Sequence, residues 1–316
     1  MGYSHRMPPS RLTAWLLTTT LSCLSACGGS GGGEPRDPYE LRLGTWNIEK
    51  LGQEADTDYP LVARIIEQNF DVIAIQEVMI LDGGHPGFDR LLAELGGQWD
   101  GFVTDRPRPD VTASYAEYYA VLWRRELARP CPGWEGLVYH EDNPGGSSGT
   151  GPNLFSREPA FVCLEAGFDM GPDSGTTGFD FVLASYHALW ASGDTEVTMA
   201  EVDHVDDVFA SMAAACPGEE DLVIAGDFNL ESDTIDTLVD ADILTEGSGS
   251  TLRDDGHISG NLIDHVLVAS AASTAEAGPA LVLDVRGEAS TFPVFRETVS
   301  NHLPVMARFT VFRDDD

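Results

Sequence analysis

Several short apolar runs in this chain end in carboxylates, amides or imidazoles, and those endings are where chemistry could sit. Gln76-Glu77 follows Val72-Ile73-Ala74-Ile75, Asp227 and Asn229 follow Leu222-Val223-Ile224-Ala225, and His187 closes Phe181–Tyr186. Asp264 stands inside the run Leu262-Ile263-Asp264-His265-Val266-Leu267-Val268, where a carboxylate is partly buried and needs a partner. The ends of strands in a rigid sheet present side chains to a cleft. Carboxylates and amides without a thiolate cluster suit a hard divalent cation such as magnesium, manganese or calcium. No Cys-x-x-Cys or His-x-x-x-His spacing points to zinc. Two histidines, His187 and His302, can supply a base and an acid. The residues alone thus read as a metal-assisted hydrolase.

The elements that must hold these groups alternate from Pro38 onward without a long linker. Leu41–Asn47 alternates as a strand, and Leu61–Asn69 has helical spacing. Val72–Ile75 is a solid apolar run, as in a strand covered on both faces. A helix is expected around Phe88–Leu95. Strands are expected at Tyr119–Trp123, Ala160–Val162, Phe181–Ala184, Leu222–Ala225, Ile263–Val268 and Val305–Phe312. Thr195–Ala215 reads as one long helix with Val202, Val205, Phe209 and Met212 on one face. Asp142–Asn153, rich in Gly and Ser, reads as a mobile loop. Two packed sheets with helices outside fit this order.

Composition narrows the partners. The 316 residues hold 18 Lys and Arg against 52 Asp and Glu, a formal charge of −34, and Lys50 is the sole lysine. A broad basic surface for nucleic acid is excluded, so any phosphate chemistry rests on metal ions and a few placed arginines. Most of the carboxylates form a solvated acidic surface. The one run apolar enough to meet a membrane is Leu12–Leu24, behind Arg6 and Arg11. It is too short to span a bilayer and reads as a signal-peptide core, which excludes a polytopic membrane protein. Leu24-Ser25-Ala26-Cys27 then resembles a bacterial lipoprotein signal, with Cys27 lipidated. Residues 1–26 form the signal peptide, residues 27–38 a tether containing Gly-Gly-Ser-Gly-Gly-Gly, and residues 39–316 the catalytic domain. An exported, lipid-anchored monomer of the bacterial cell envelope is expected. Loss of Arg6 and Arg11 with the leader makes the mature chain two charges more acidic. Export permits disulfides; of Cys131, Cys163 and Cys216, the pair Cys131–Cys163 flanks a loop and is the expected bridge.

A resemblance carries the reading further. Thr45-Trp46-Asn47-Ile48, Ile75-Gln76-Glu77-Val78, Ser114-Tyr115-Ala116-Glu117-Tyr118-Tyr119, Phe155-Ser156-Arg157-Glu158-Pro159, His187, Gly226-Asp227-Phe228-Asn229, Ile263-Asp264-His265 and Ser300-Asn301-His302-Leu303-Pro304-Val305 occur in that order. Together they resemble the endonuclease/exonuclease/phosphatase superfamily, and within it the secreted deoxyribonucleases of the pancreatic type. The implied fold is an α/β four-layer sandwich, two packed mixed β-sheets flanked by helices. The implied activity is phosphodiester hydrolysis with Mg²⁺, or with Mn²⁺ or Ca²⁺. The resemblance makes Glu77 the main metal ligand, with Asn47, and gives Asp227 and Asn229 the placing of metal and attacking water. It makes His302 the base oriented by Asp264, and His187 the acid oriented by Glu117. Arg157 grips phosphate and Tyr115 packs against nucleic acid.

Two departures bear on substrate. Where the family has Ser-Asp-His near its end, this chain has Ser300-Asn301-His302, so the metal-side position of Asn301 carries no charge. Where the pancreatic enzymes place an arginine two residues past the ligand Glu, this chain has Met79. An anchored endonuclease on extracellular DNA is the leading expectation. A sphingomyelinase-like or inositol-phosphate phosphatase-like enzyme, or a degenerate binding module, stands as the alternative.

Overall fold

The structure is a computed structural model that describes residues 39–54, 56–105, 117–142, 154–167, 178–192, 194–269 and 276–311. These fall within one unit, Arg36–Asp316. Cys27, the leader and tether, Tyr115 and nearly all of the Asp142–Asn153 loop lie outside the described residues.

The strands are β1 Glu40–Leu51, β2 Val72–Met79, β3 Trp99–Val103, β4 Glu117–Arg124, β5 Ala128–Pro130, β6 Val138–Tyr139, β7 Ala160–Ala166, β8 Phe179–His187, β9 Leu222–Asp227, β10 Asp242–Ile243, β11 Thr245–Glu246, β12 Asp264–Val268, β13 Ala280–Val282 and β14 Val305–Thr310. The helices are α1 Tyr59–Asn69, α2 Pro86–Leu95, α3 Thr195–Val202, α4 Val205–Ala215, α5 Ser232–Ile235 and α6 Phe292–Thr298. They build two seven-stranded sheets. One runs β11-β13-β14-β1-β2-β4-β3 and the other β10-β12-β9-β8-β7-β5, with β6 on β7. Both sheets are mixed: β1–β2 and β8–β9 are parallel pairs in otherwise mainly antiparallel surroundings. Two mixed sheets with helices on their outer faces are the expected four-layer sandwich.

Side chains on a strand alternate between faces, and the alternation explains both core and site. The odd positions of β1 read Leu41, Leu43, Thr45, Asn47 and those of β8 read Phe181, Leu183, Ser185, His187. β9 contributes Val223, Ala225, Asp227, and β12, running the other way, Val268, Val266, Asp264. The apolar members of these rows form one buried cluster between the sheets. The polar members are buried at the same end of each strand. The inter-sheet layer therefore turns from apolar to polar toward the site. The alternate rows face outward. Trp46, Ile73 and Ile75 pack under α1, α2 and α6, and Val182, Ala184 and Ile224 under α3 and α4. Fully burying such a side chain contributes about 1.5–3 kcal/mol.

The expected long helix Thr195–Ala215 is two helices. The chain tightens at Asp203 and His204, whose N–H groups bond to Met199 and Glu201 carbonyls, and α4 restarts at Val205. All four residues expected on its buried face are buried. The period was right and the continuity was not. Cys131 and Cys163 form the expected disulfide, with Cα atoms 5.4 Å apart.

Candidate active site

Gly226 sets the register on which the site depends. A Cβ there would lie 1.8 Å from the Tyr186 carbonyl oxygen, so only glycine lets β9 approach β8 this closely. Asp227 is then paired with His187 on one side and with Asp264 on the other. Three chemical groups from three strand ends stand side by side. From the other sheet, Asn47 pairs with Gln76, and Met79 with Glu117. A buried chain ties the sheets together: Thr45 Oγ1 donates to Gln76 Oε1 at 2.9 Å, and Gln76 Nε2 donates to Ser185 Oγ at 2.9 Å.

Glu77 does not follow the alternation. Its φ is +57°, within a bulge that shifts the β2–β4 register between Ile75 and Val78. A non-glycine residue held in the left-handed region costs free energy, and a bulge re-aims a side chain. Here the Glu77 carboxylate receives Asn47 Nδ2 at 3.1 Å and the Lys50 N–H at 3.1 Å. Asn229 is likewise left-handed, φ +52°. Its N–H caps Asp227 Oδ1 at 2.9 Å and its Nδ2 donates to the Ala188 carbonyl at 2.9 Å. Asn229 is expected to help place metal and water; its side-chain N–H also braces the backbone beyond His187.

Asp227 Oδ2 is the hub. Asn47 Nδ2 donates to it at 3.1 Å, His187 Nε2 lies 3.6 Å away and His302 Nε2 3.7 Å away. Each imidazole is held from behind by its own carboxylate. His302 Nδ1 meets Asp264 Oδ2 at 2.9 Å, and Ser250 Oγ donates to that same oxygen at 2.6 Å. His187 Nδ1 meets Glu117 Oε2 at 2.9 Å, while Arg157 Nη1 donates to Glu117 Oε1 at 2.9 Å. Arg157 also donates to the carbonyls of His187 (Nε, 3.0 Å) and Ala188 (Nη2, 2.7 Å). These bonds use three of the five guanidinium N–H donors.

The charges shift the two histidines unequally. Burial opposes protonation of His302, but Asp264, Asp227 and Glu77 outweigh it and push its pKa up to about 10. For His187, burial and the neighbouring Arg157 both oppose protonation; Glu117 and Asp227 still carry the balance upward. Burial would raise Glu117, yet His187 and Arg157 bring it down to about 2. His265, between these groups in sequence, serves structure. Burial lowers it to about 4, and its Nε2 bonds to the Leu230 carbonyl at 2.9 Å.

A divalent cation fits the donor set. Asn47 Oδ1 and Asn301 Oδ1 are buried without a hydrogen-bond partner. Among the described residues, no lysine or arginine lies within ion-pair distance of Glu77. Hard oxygens left unsatisfied beside carboxylates match a hard cation. Asp227, Asp264 and His302 also lie close enough to hold an ion. The His302 and Ser250 bonds already occupy Asp264, so the half-buried Glu77 and the unpartnered Asn47 Oδ1, beside Asp227, offer the more open oxygens. Sequence reasoning missed Ser250 and gave Ser300, though part of the C-terminal motif, no role. Ser300 Oγ donates to the Asn47 carbonyl at 2.6 Å and receives the His302 N–H at 2.9 Å. Both sit in irregular segments where no periodicity marks them.

Comparison with known proteins bears on the fold and the family. A deoxyribonuclease of Thioalkalivibrio sp. (strain K90mix) is 29% identical over 282 residues, 85% of this chain and 71% of that protein. Among solved structures, an endonuclease/exonuclease/phosphatase from Bacteroides vulgatus superposes with a TM-score of 0.59 at 17% identity, covering 86% of this chain and 99% of its own. The catalytic domain of human Nocturnin, solved with a bound sulfate anion, gives 0.55 at 18% identity over 87% of this chain and 95% of its own. The family model described as endonuclease/exonuclease/phosphatase matches residues 44–302, from within β1 to the second imidazole, and the chain belongs to that family.

Proposed function

We propose that the protein is an exported, divalent-metal-dependent phosphodiester hydrolase acting as an endonuclease on DNA. The observation that carries the reading is the convergence of two carboxylate-backed imidazoles on one oxygen of Asp227, beside Glu77 and Asn47. The deoxyribonuclease relative favours DNA among the family's phosphoester substrates.

Hydrolysis of a phosphodiester needs an activated water, a protonated leaving oxygen and relief of charge on the phosphoryl oxygens. His302 is the stronger proton acceptor, and Asp264 aligns its ring so that Nε2 faces the site. It takes the proton of the attacking water. His187 holds its proton less tightly, because Arg157 opposes the charge, and it delivers that proton to the leaving oxygen. Arg157 retains N–H donors for a phosphoryl oxygen. Glu77, Asn47 and Asp227, with Asn301 as a neutral donor, would hold Mg²⁺, Mn²⁺ or Ca²⁺. Such an ion supplies charge neutralisation at the phosphate and offsets the carboxylate field that keeps His302 protonated at neutral pH. Cys27 is the lipidation site, residues 1–26 the signal and 27–38 the tether, which puts a monomeric enzyme at the bacterial cell envelope.

The purified protein, given plasmid DNA, RNA, a sphingomyelin analogue and inositol phosphates with Mg²⁺, with Ca²⁺ and with chelator, tests the substrate. Nicked plasmid with metal and none with chelator is the expected result. Cleavage confined to the lipid or inositol substrates rejects the nuclease reading. For the anchor, Cys27→Ser should move the protein from membrane to soluble fractions with activity intact.

A further inference from the structure

Glu201 belongs to none of the motifs above, yet it is buried in α3 at 4% exposure. Among the described residues, no arginine or lysine pairs with it. A carboxylate in such a place needs other donors, and it has three. The Ser156 N–H reaches Oε2 at 3.1 Å, and the Tyr186 O–H and Leu189 N–H reach Oε1 at 3.0 and 3.2 Å. Ser156 directly precedes Arg157. Tyr186 and Leu189 bracket His187 and Ala188. One turn back on α3, Thr198 Oγ1 donates to the Leu189 carbonyl at 2.7 Å, so Leu189 is fixed at both its N–H and its C=O. The guanidinium of Arg157 closes the circuit on the His187 and Ala188 carbonyls.

We propose that Glu201 is a positioning residue that fixes Arg157 and His187 relative to one another, by anchoring both of the backbone segments that carry them. It rests on the reading of His187 as proton donor. The same carboxylate makes no contact with the His302–Asp264 pair, whose supports come from Ser250 and Ser300. Glu201 thus acts on one half of the chemistry. Replacing it by Gln keeps the size but turns one acceptor into an N–H₂ that faces a donor, so one of the two segments must move. A displacement of the order of 1 Å at a catalytic group costs up to about 100-fold in rate.

The test compares Glu201→Gln with the wild-type full chain on two phosphodiesters. One is DNA, whose leaving alkoxide needs a proton; the other is a nitrophenyl nucleotide ester, whose leaving phenolate does not. We expect kcat on DNA to fall about 10–100-fold and kcat on the activated ester to fall less, through the Arg157 phosphate contact alone, with circular dichroism unchanged. In parallel, imidazole NMR signals of His187 should shift and those of His302 should not. Equal losses on both esters, or unmoved His187 signals, overturn the proposal. Should Glu201→Gln not fold, Glu201→Asp keeps the charge but is one methylene too short to reach both segments. The same selective pattern is expected, and wild-type behaviour overturns it. A wild type inactive on every phosphodiester sinks the functional reading, while the NMR comparison still judges the positioning claim.

Discussion

The two halves of the site carry the same device, an imidazole backed by a carboxylate, and differ in what stands behind the carboxylate. Behind Asp264 is a neutral hydroxyl, Ser250, and Asp227 and Glu77 add negative field. Behind Glu117 is a guanidinium, Arg157, which competes with His187 for the same carboxylate. One histidine is driven to about 10, and the other is raised against the opposition of a cation. A carboxylate shared with arginine is a weaker proton trap than one shared with serine. The two dyads are alike in drawing, and on the proposed mechanism their third partners sort them into acceptor and donor.

The largest expected effects come from removing either ring. His302→Ala and His187→Ala should each lower the rate on DNA by about 10²–10⁴-fold. An activated nitrophenyl ester should recover most of the loss in His187→Ala and little of it in His302→Ala. Equal recovery in both variants would falsify the division of labour. Next in size are the charge partners. In metal-free protein followed by NMR, Asp264→Asn should bring His302 down from about 10 toward its ordinary 6.5, because its main raising charge is gone. Arg157→Gln should move His187 the other way, upward, because Arg157 lowers it. Shifts of the same sign in the two variants would contradict the comparison.

The same shifts predict how stability depends on pH, with the two imidazoles and Glu117 leaving marks on opposite sides. His302 is raised on folding from 6.5 to about 10, so its contribution is whole below about pH 6.5 and is lost as pH climbs through 10. His187 adds in the same direction. Glu117 is depressed from 4.5 to about 2, so its contribution is present above about pH 4.5 and is lost as pH falls toward 2. Urea unfolding in chelator should give His302→Gln a flatter alkaline limb than wild type, and Glu117→Gln a flatter acid limb. An alkaline limb unchanged in His302→Gln would mean that the folded ring carries no raised affinity for its proton.

Much of this was legible in the sequence where the signal was local. The row Leu41-Leu43-Thr45-Asn47 alternates, so period-2 reading found it, and Leu222–Ala225 is a solid apolar run whose polar ending marked Asp227. The His187–Glu117 and His302–Asp264 contacts were expected from resemblance and are present at 2.9 Å in each case. What stayed hidden depends on distant partners or on backbone shape. The left-handed φ of Glu77 leaves no mark in residue type. Ser250 lies in a Gly-Ser stretch that reads as a turn, and Glu201 reads as one more acidic residue on a helix in a chain full of them. Short strands such as β10 and β13 are two or three residues each and lie against the longer β12 and β14, too short to announce themselves by periodicity.

Charge outside the dyads sets smaller effects. With 52 acidic residues against 18 basic ones, DNA approaches a surface of its own sign. Repulsion of that kind is strongest when screening is weakest. Activity on DNA should therefore hold or rise as monovalent salt increases from low values. A steep monotonic fall would require a basic groove, contrary to the composition.

The smallest effect sharpens the His302 side alone. Asn301 sits next to His302 and leaves a buried amide oxygen without a hydrogen-bond partner. An amide oxygen can meet a cation or a water, but it brings no charge. Asn301→Asp adds an anion close to His302 and to the Asn47 segment that Ser300 binds. A new anion strengthens the attraction for a divalent cation and favours the protonated ring. The Mg²⁺ concentration at half-maximal rate should fall by about 10-fold or less, equivalent to about 1.4 kcal/mol at most. The His302 value should climb further, while His187, across Asp227, should move less. If Asn301 only holds the loop, neither quantity moves. Rates measured across a metal titration at several pH values separate the two, and a higher metal requirement in Asn301→Asp would remove Asn301 from the metal side of the site.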